Sequence, residues 1–310
     1  MFFSLPAAMF RSCFHLVLLL AALNLLNAAE RQPGTPVHGS DQFTEYMPGE
    51  LPLVLSAPHG GKLKPESVRT RTSGVRTEDS NTQDLARRIA AEVRKATRKQ
   101  MPLIISHLHR SKLDPNREIK EAAQGDPTAE KVWHEYHAFI GEALEDAVKR
   151  HGRAFLIDLH GQSHPDIRVE LGYLHAASDY GRPVDEINSS AFVAQGSLAL
   201  LVRLNPGLAY TDLLHGPESL GALLEAHDFK ATPSPRMPRP SEPYYRGGYT
   251  VFRHVPGNPS VAGLQIEANR VRLRDTPEGR QRFAEALVNA LQSYLPRFLK
   301  LNLDGSPVAQ

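Results

Sequence analysis

The sequence predicts an α/β fold: a mostly parallel mixed sheet flanked by helices. Three observations predict it. Short apolar runs alternate with amphipathic stretches through the first half of the chain, the pattern of a parallel sheet covered on both faces. The two clearest apolar runs, Leu53–Ala57 and Phe155–Ile157, each end in a polar segment containing His-Gly, at His59-Gly60 and His160-Gly161. Strand tips that deliver chemistry-bearing residues into a turn are how such folds mount a site. Finally, one cysteine among 310 residues leaves no disulfide framework, so a chain of this length must fold on a hydrophobic core.

In order along the chain, residues 1–29 read as a secretory signal peptide. Arg11 is the only charge before an apolar stretch, Cys13–Leu26, and small residues follow at Ala28 and Ala29. The apolar stretch falls short of the roughly 20 residues that span a bilayer, so no stable membrane insertion is expected once the signal is cleaved. Cys13 lies inside this segment, leaving the mature chain without thiols. Export without disulfides suits a periplasmic or secreted protein. Residues 30–50 are rich in Pro, Gly and polar residues and read as a flexible arm. Residues 51–310 are expected to form a single catalytic domain. The net charge of +2, with no basic stripe, gives no support for nucleic-acid binding.

Leu51–Pro58 is the first expected strand, followed by a long polar loop over 60–81 of the kind that is usually functional or mobile. Thr82–Lys99 is a helix with Leu85, Ile89 and Val93 on one face and basic residues toward its C-terminus. Leu103–Leu108 is a strand, and Thr128–Arg150 a helix carrying Val132, Tyr136, Phe139, Ile140, Leu144 and Val148. The Phe155 strand follows, then strands at Val169–Leu174, Tyr249–Arg253 and Val261–Ala268. Helices are expected at Asp185–Leu204, Ser219–His227 and Thr276–Leu299, the last with Pro277 in its first turn. Lys230–Tyr244 is a proline-rich loop.

A catalytic zinc takes about three protein ligands and keeps one position open. His59 and His160 supply two. Asp79 or Glu78, where the long loop returns, supplies the third. Asp158 shares a strand face with His160 and is placed to orient its ring. In Leu108–Glu118, Arg110 and Arg117 bracket Asp114 and Asn116, a cluster suited to an anionic substrate end or an oxyanion. Glu267 lies on an otherwise apolar strand, with Gln265 on its face. A carboxylate there is costly unless paired or functional, which makes it the expected general base. Trp133-His134-Glu135-Tyr136-His137 resembles a zinc helix motif, but its histidines are three apart where the motif needs four, so it reads as a helix face. Ser163 lies outside a nucleophile elbow, which argues against a serine hydrolase.

The ordered set Pro58-His59-Gly60-Gly61, Asn81-Thr82 at a helix start, His109 to Arg117, Asp158 to Gly161, Gly247-Gly248-Tyr249, His254 to Gly257 and Leu264 to Arg270 closely resembles the N-formylglutamate amidohydrolase family, itself related to zinc carboxypeptidases. The resemblance runs over about residues 53–291. It implies a phosphorylase/hydrolase-like fold, one zinc and amide hydrolysis. It further implies His59, Asp79 or Glu78, and His160 as metal ligands. Asn116 and Arg117 then grip a substrate carboxylate, Arg110 polarises the scissile carbonyl and Glu267 is the catalytic carboxylate. Tyr249 and His254 fall where that family closes its pocket. An export signal does not suit an enzyme of cytoplasmic histidine breakdown. The expected substrate is therefore another small molecule or peptide with a free carboxylate. A zinc carboxypeptidase or cell-wall peptidase is the alternative enzyme, and a non-catalytic binding protein the alternative class.

Overall fold

The computed structural model describes residues 31–309. The expected signal peptide lies outside the described residues. The protein is a mixed α/β structure built on an eight-stranded sheet of order β1-β2-β4-β3-β5-β8-β6-β7. The strands are β1 Val37–His38, β2 Thr44–Met47, β3 Leu53–Ala57, β4 Leu103–Ser106, β5 Ala154–Gln162, β6 Val169–Gly172, β7 Ala231–Thr232 and β8 Val261–Asn269. The central strands β4, β3, β5 and β8 run parallel, and β2 and β6 join them antiparallel. No helix among the described residues is long and apolar enough to cross a membrane.

Alternation along the parallel strands explains the two layers. Leu53, Leu55, Leu103, Ile105, Phe155, Ile157, Leu264 and Ile266 face one side. There they pack with Leu85, Ile89 and Val93 of the Thr82–Thr97 helix and with Phe283, Leu287 and Leu291 of the Pro277–Tyr294 helix. Val54, Ile104, Leu156 and Val261 face the other side, against Tyr136, Ile140, Ala143 and Leu144 of the Pro127–His151 helix. On this second face the residues turn polar toward the strand C-termini: Ser56 on β3, Asp158 and His160 on β5, Gln265 and Glu267 on β8. All five are buried. The chemistry sits where that face runs out of apolar side chains.

Three expectations are corrected. The 30–50 segment, expected as a flexible arm, carries β1 and β2. Thr44–Met47 pairs antiparallel with Leu103–Ser106, and Phe43 to Tyr46 are buried. Its Pro, Gly and polar content masked a strand too short to alternate visibly. Tyr249–Arg253, expected as a strand, lies in the helix Tyr249–His254. Its β-branched and aromatic residues mislead, because Val251 and Val255, one helical turn apart, bury themselves against the Pro127–His151 helix. The expected helix Asp185–Leu204 is three short ones, Val184–Ile187, Ser190–Gln195 and Ala199–Leu204. Ser189 caps the second by accepting from the Phe192 N–H, and Gly196 ends it. A helix at Tyr210–His215 was not anticipated. Strand β5 also runs on through Gln162, because β8 pairs with it in register as far as Gln162↔Asn269.

Candidate active site

Each functional side chain is delivered by a strand end or by the loop after it. Past Ala57, the chain turns at Pro58 and sets His59 in the interior, fully buried. Gly60 follows with φ +92°, and a Cβ there would stand 2.4 Å from Thr82 Oγ1, so both backbone and space demand glycine. The Thr82 hydroxyl lies 2.8 Å from the carbonyl oxygens of both His59 and Asp79 and shares its one proton between them. It thereby pins the first strand tip to the returning loop. Arg71, also buried, anchors that loop from the other side: its Nη1 donates to the carbonyls of Val75 and Arg110 at 2.8 and 2.9 Å.

The two histidines are mounted alike. His59 Nε2 is 2.7 Å from Asp114 Oδ1 and His160 Nε2 is 2.8 Å from Asp158 Oδ2. A carboxylate only accepts, so each Nε2 carries the proton. In the neutral ring that leaves each Nδ1 as a bare lone pair. Both Nδ1 atoms face one oxygen, Asp79 Oδ2, at 3.1 Å from His59 and 3.3 Å from His160. Lone pairs on three buried atoms cannot converge without a positive charge among them. Burial disfavours the charged His160 ring, but Asp158 and Asp79 override it and push His160 up to about 10. Burial likewise works against the Asp79 charge, yet the two rings hold its carboxyl well below the usual range.

The ligand atoms of His59, Asp79 and His160 all lie within 4.8 Å of one another, and two imidazole nitrogens with a carboxylate oxygen are a donor set that zinc accepts. The carboxylates behind the rings complete the usual orienting layer. The residues present fit the metal. Of the two acids left open by the sequence, Asp79 enters this cluster. Glu78 lines the neighbouring cavity and is not part of it. A second His/Glu group, His38, Glu45 and His107, is of another kind: both Glu45 oxygens are held by Arg87, at 2.8 and 2.7 Å.

A cavity of about 480 Å³ opens beside the cluster. Asp79, Glu78, His160, Arg110, Asn116, Arg117, Gln265 and Glu267 all line it. Glu267 lies opposite His160 in the β5/β8 register. Its Oε1 accepts from Gln265 Nε2 at 2.9 Å, while its buried Oε2 has no partner among the described residues. Burial, with Asp79 and Glu170 adding to it against the opposing pull of His160, pushes Glu267 up to about 8. Arg110 donates from Nε to Asp114 Oδ2 at 2.8 Å and reaches Asp79 Oδ1 with Nη1 at 3.4 Å. Arg117 is half-exposed and pairs with Glu121 at 3.1 Å.

Tyr249 and His254 are placed differently from the expectation. Neither lines this cavity. Tyr249 packs on Trp133 and His137, and His254 Nε2 lies 3.0 Å from His137 Nδ1. The sequence reading undervalued Asp114, which it took as part of an arginine cluster and which in fact holds His59. It missed Arg71, whose burial no local pattern announces. It also missed Tyr245, Arg246, Arg270 and Arg274 on the cavity wall.

No protein-family model and no curated protein matches the sequence. Among solved structures the chain is similar to an N-formylglutamate amidohydrolase from Ralstonia eutropha JMP134. That match is 16% identical over 80% of this chain and 95% of the other, with a TM-score of 0.51. A gene product of Agrobacterium tumefaciens matches at 13% identity over 79% and 91%, with a TM-score of 0.46. An N-acetylmuramyl-L-alanine amidase from Mycobacterium abscessus matches at 12% identity over 78% and 98%, with a TM-score of 0.34. The first match shows a shared fold.

Proposed function

We propose that this protein is an exported, zinc-dependent amidohydrolase that cleaves the C–N bond of an amide carrying a free carboxylate. The observation that supports it most is the convergence of two imidazole nitrogens and one carboxylate oxygen, His59 Nδ1, His160 Nδ1 and Asp79 Oδ2, beside a buried carboxylate oxygen, Glu267 Oε2, without a partner among the described residues. Zinc held there supplies a Lewis acid and an acidified water.

The chain's own residues do the rest. Glu267 takes the proton from the attacking water on Oε2 and returns it to the departing amine nitrogen. A group pushed up to about 8 can both accept and release a proton near neutrality, and a cation nearby favours its base form. Arg110 gives up its long contact to Asp79 and donates Nη1 to the carbonyl oxygen as charge builds there, while Asp114 keeps its Nε fixed. Asn116 and Arg117 hold the substrate carboxylate. Arg246 and Arg270, also on the wall, favour an anionic substrate. In this reading the enzyme works in the periplasm or outside the cell, a proposal that rests on the signal-like sequence of residues 1–29.

Metal analysis of the purified protein beside its His160→Ala and Glu267→Gln variants tests the proposal. One zinc per chain is expected in the wild type and in Glu267→Gln, and none in His160→Ala. Screened on formylated, acylated and peptidyl amino acids, Glu267→Gln should lose about 10²-fold or more in turnover. A wild type that takes up no zinc, or a Glu267→Gln variant with full activity, sinks the mechanism.

A further inference from the structure

The helix face that imitates a zinc motif has a use that the metal cluster does not require. Trp133 and His137 stand one turn apart on the Pro127–His151 helix, so their rings project from one face. Trp133 Nε1 donates to the carbonyl of Arg117 at 2.9 Å, and His137 Nε2 to the carbonyl of Pro115 at 3.0 Å. The two acceptors are the residues on either side of Asn116. Two ring N–H groups thus clamp the backbone before and after the residue proposed to meet the substrate carboxylate.

Asn116 itself is held at two more points. Its N–H donates to Asp114 Oδ1 at 3.1 Å, and its Oδ1 accepts from the Thr250 N–H at 2.9 Å. With Oδ1 committed, the amide nitrogen is the end left for a ligand in the cavity it lines. The short helix Tyr249–His254 presses the clamp from behind. Tyr249 lies 6.0 Å from the Trp133 ring and 5.7 Å from His137, and Arg253 covers Trp133 at 4.8 Å. Because Pro115 accepts from His137 Nε2, the neutral His137 ring must accept at Nδ1, so His254 donates from Nε2. A run of N–H donors therefore ends on the loop that carries Asn116.

We propose that Trp133 and His137 are positioning residues for carboxylate recognition: they fix the Pro115–Arg117 backbone so that Asn116 and Arg117 meet the anion together. The inference rests on the carboxylate role proposed above for that pair. Tyr249 and His254 then support recognition from one layer back without touching the substrate.

Trp133→Phe removes one donor and keeps the ring. His137→Leu removes the other, and His137→Gln restores a donor at the Nε2 position. Binding of N-acetylalanine and of its neutral N-methylamide to the full chain, by titration calorimetry, reads the effect without needing turnover. A loss of about 10-fold for the carboxylate is expected in Trp133→Phe and His137→Leu, from one hydrogen bond of about 1.4 kcal/mol. The N-methylamide should change less than twofold, and His137→Gln should recover most of the loss. On any amide the wild type cleaves, KM should rise with kcat within about twofold. Equal losses for the acid and the neutral amide, or no loss in either variant, overturn the positioning role. If the wild type binds zinc but does not prefer the acid over its N-methylamide, the inference fails while the metal centre stands. If the wild type takes up no zinc, the hydrolase reading fails while a selective loss of acid binding still supports the clamp.

Discussion

Replacing Asp114 by Asn separates the two roles this carboxylate combines. Its Oδ1 receives His59 Nε2 at 2.7 Å and the Asn116 N–H at 3.1 Å, and its Oδ2 receives Arg110 Nε at 2.8 Å. An amide cannot satisfy all three. With its oxygen toward His59, its NH₂ meets the guanidinium donor to donor. Flipped, it meets His59 Nε2–H and favours the tautomer whose Nδ1 is no longer a ligand. Loss of such an orienting acid weakens metal binding about 10- to 100-fold, which is about 1.4–2.8 kcal/mol. Losing the contact at Arg110 Nε, with Asp79 still beside Nη1, adds a stability cost of about 1–3 kcal/mol. Asp158→Asn is the internal control. Asp158 orients His160 in the same way, but among the described residues its second oxygen receives only the Ser56 hydroxyl, at 2.7 Å, which can rotate and accept from an amide. Both variants should lose zinc affinity to a similar degree in competition with a chromophoric chelator. Only Asp114→Asn should also lose about 1–3 kcal/mol in denaturant unfolding of the metal-free protein. Zinc affinity within twofold of wild type in both variants would refute the orienting role.

Other consequences follow from the same geometry. Gly248→Ala places a Cβ 2.3 Å from Asn116 Nδ2 and 2.4 Å from Gln265 Oε1. A stability loss of about 1–3 kcal/mol with weakened carboxylate binding is expected, measured by thermal melts and calorimetry. Arg71→Met leaves the carbonyls of Val75 and Arg110 without their donor. It should cost about 2 kcal/mol or more and lower zinc affinity by loosening the loop that bears Asp79. Burial holds His175 and His254 down to about 4. Folded values below the unfolded ones mean stability that is complete above about pH 6.5 and falls as pH drops toward 4. Each ring should remove about 1 kcal/mol between pH 7 and 5.5, and His175→Gln should flatten the measured dependence by about one proton.

Much of the site was legible in the sequence because strand period two is a local rule. Asp158 with His160, and Gln265 with Glu267, share a face by counting alone. The structure puts both pairs on the side of the sheet that carries the Pro127–His151 helix. Turn chemistry is local too, which made the His59-Gly60 and His160-Gly161 tips readable as places where the backbone leaves the sheet. Misreadings arose where long-range pairing outweighs local preference. Thr44–Met47 is a strand because β4 offers it an edge. Tyr249–His254 is a helix because Val251 and Val255 find a surface one turn apart.

The sequence by itself determined an α/β sheet with histidines at two strand ends and an isolated carboxylate on a third strand. Tertiary structure alone decided which acid joins the histidines. Asp79 and Glu78 are equivalent as neighbours in the chain, but only Asp79 reaches both rings, with the Gly161 N–H completing its shell at 3.1 Å. It alone turned Asp114 from a partner of arginine into the holder of His59, and His137 and Trp133 from a false metal motif into a clamp. The physical reason is common to all three. A hydrogen bond is satisfied or broken over a few tenths of an ångström, and such distances between residues tens of positions apart are fixed only when the core has packed.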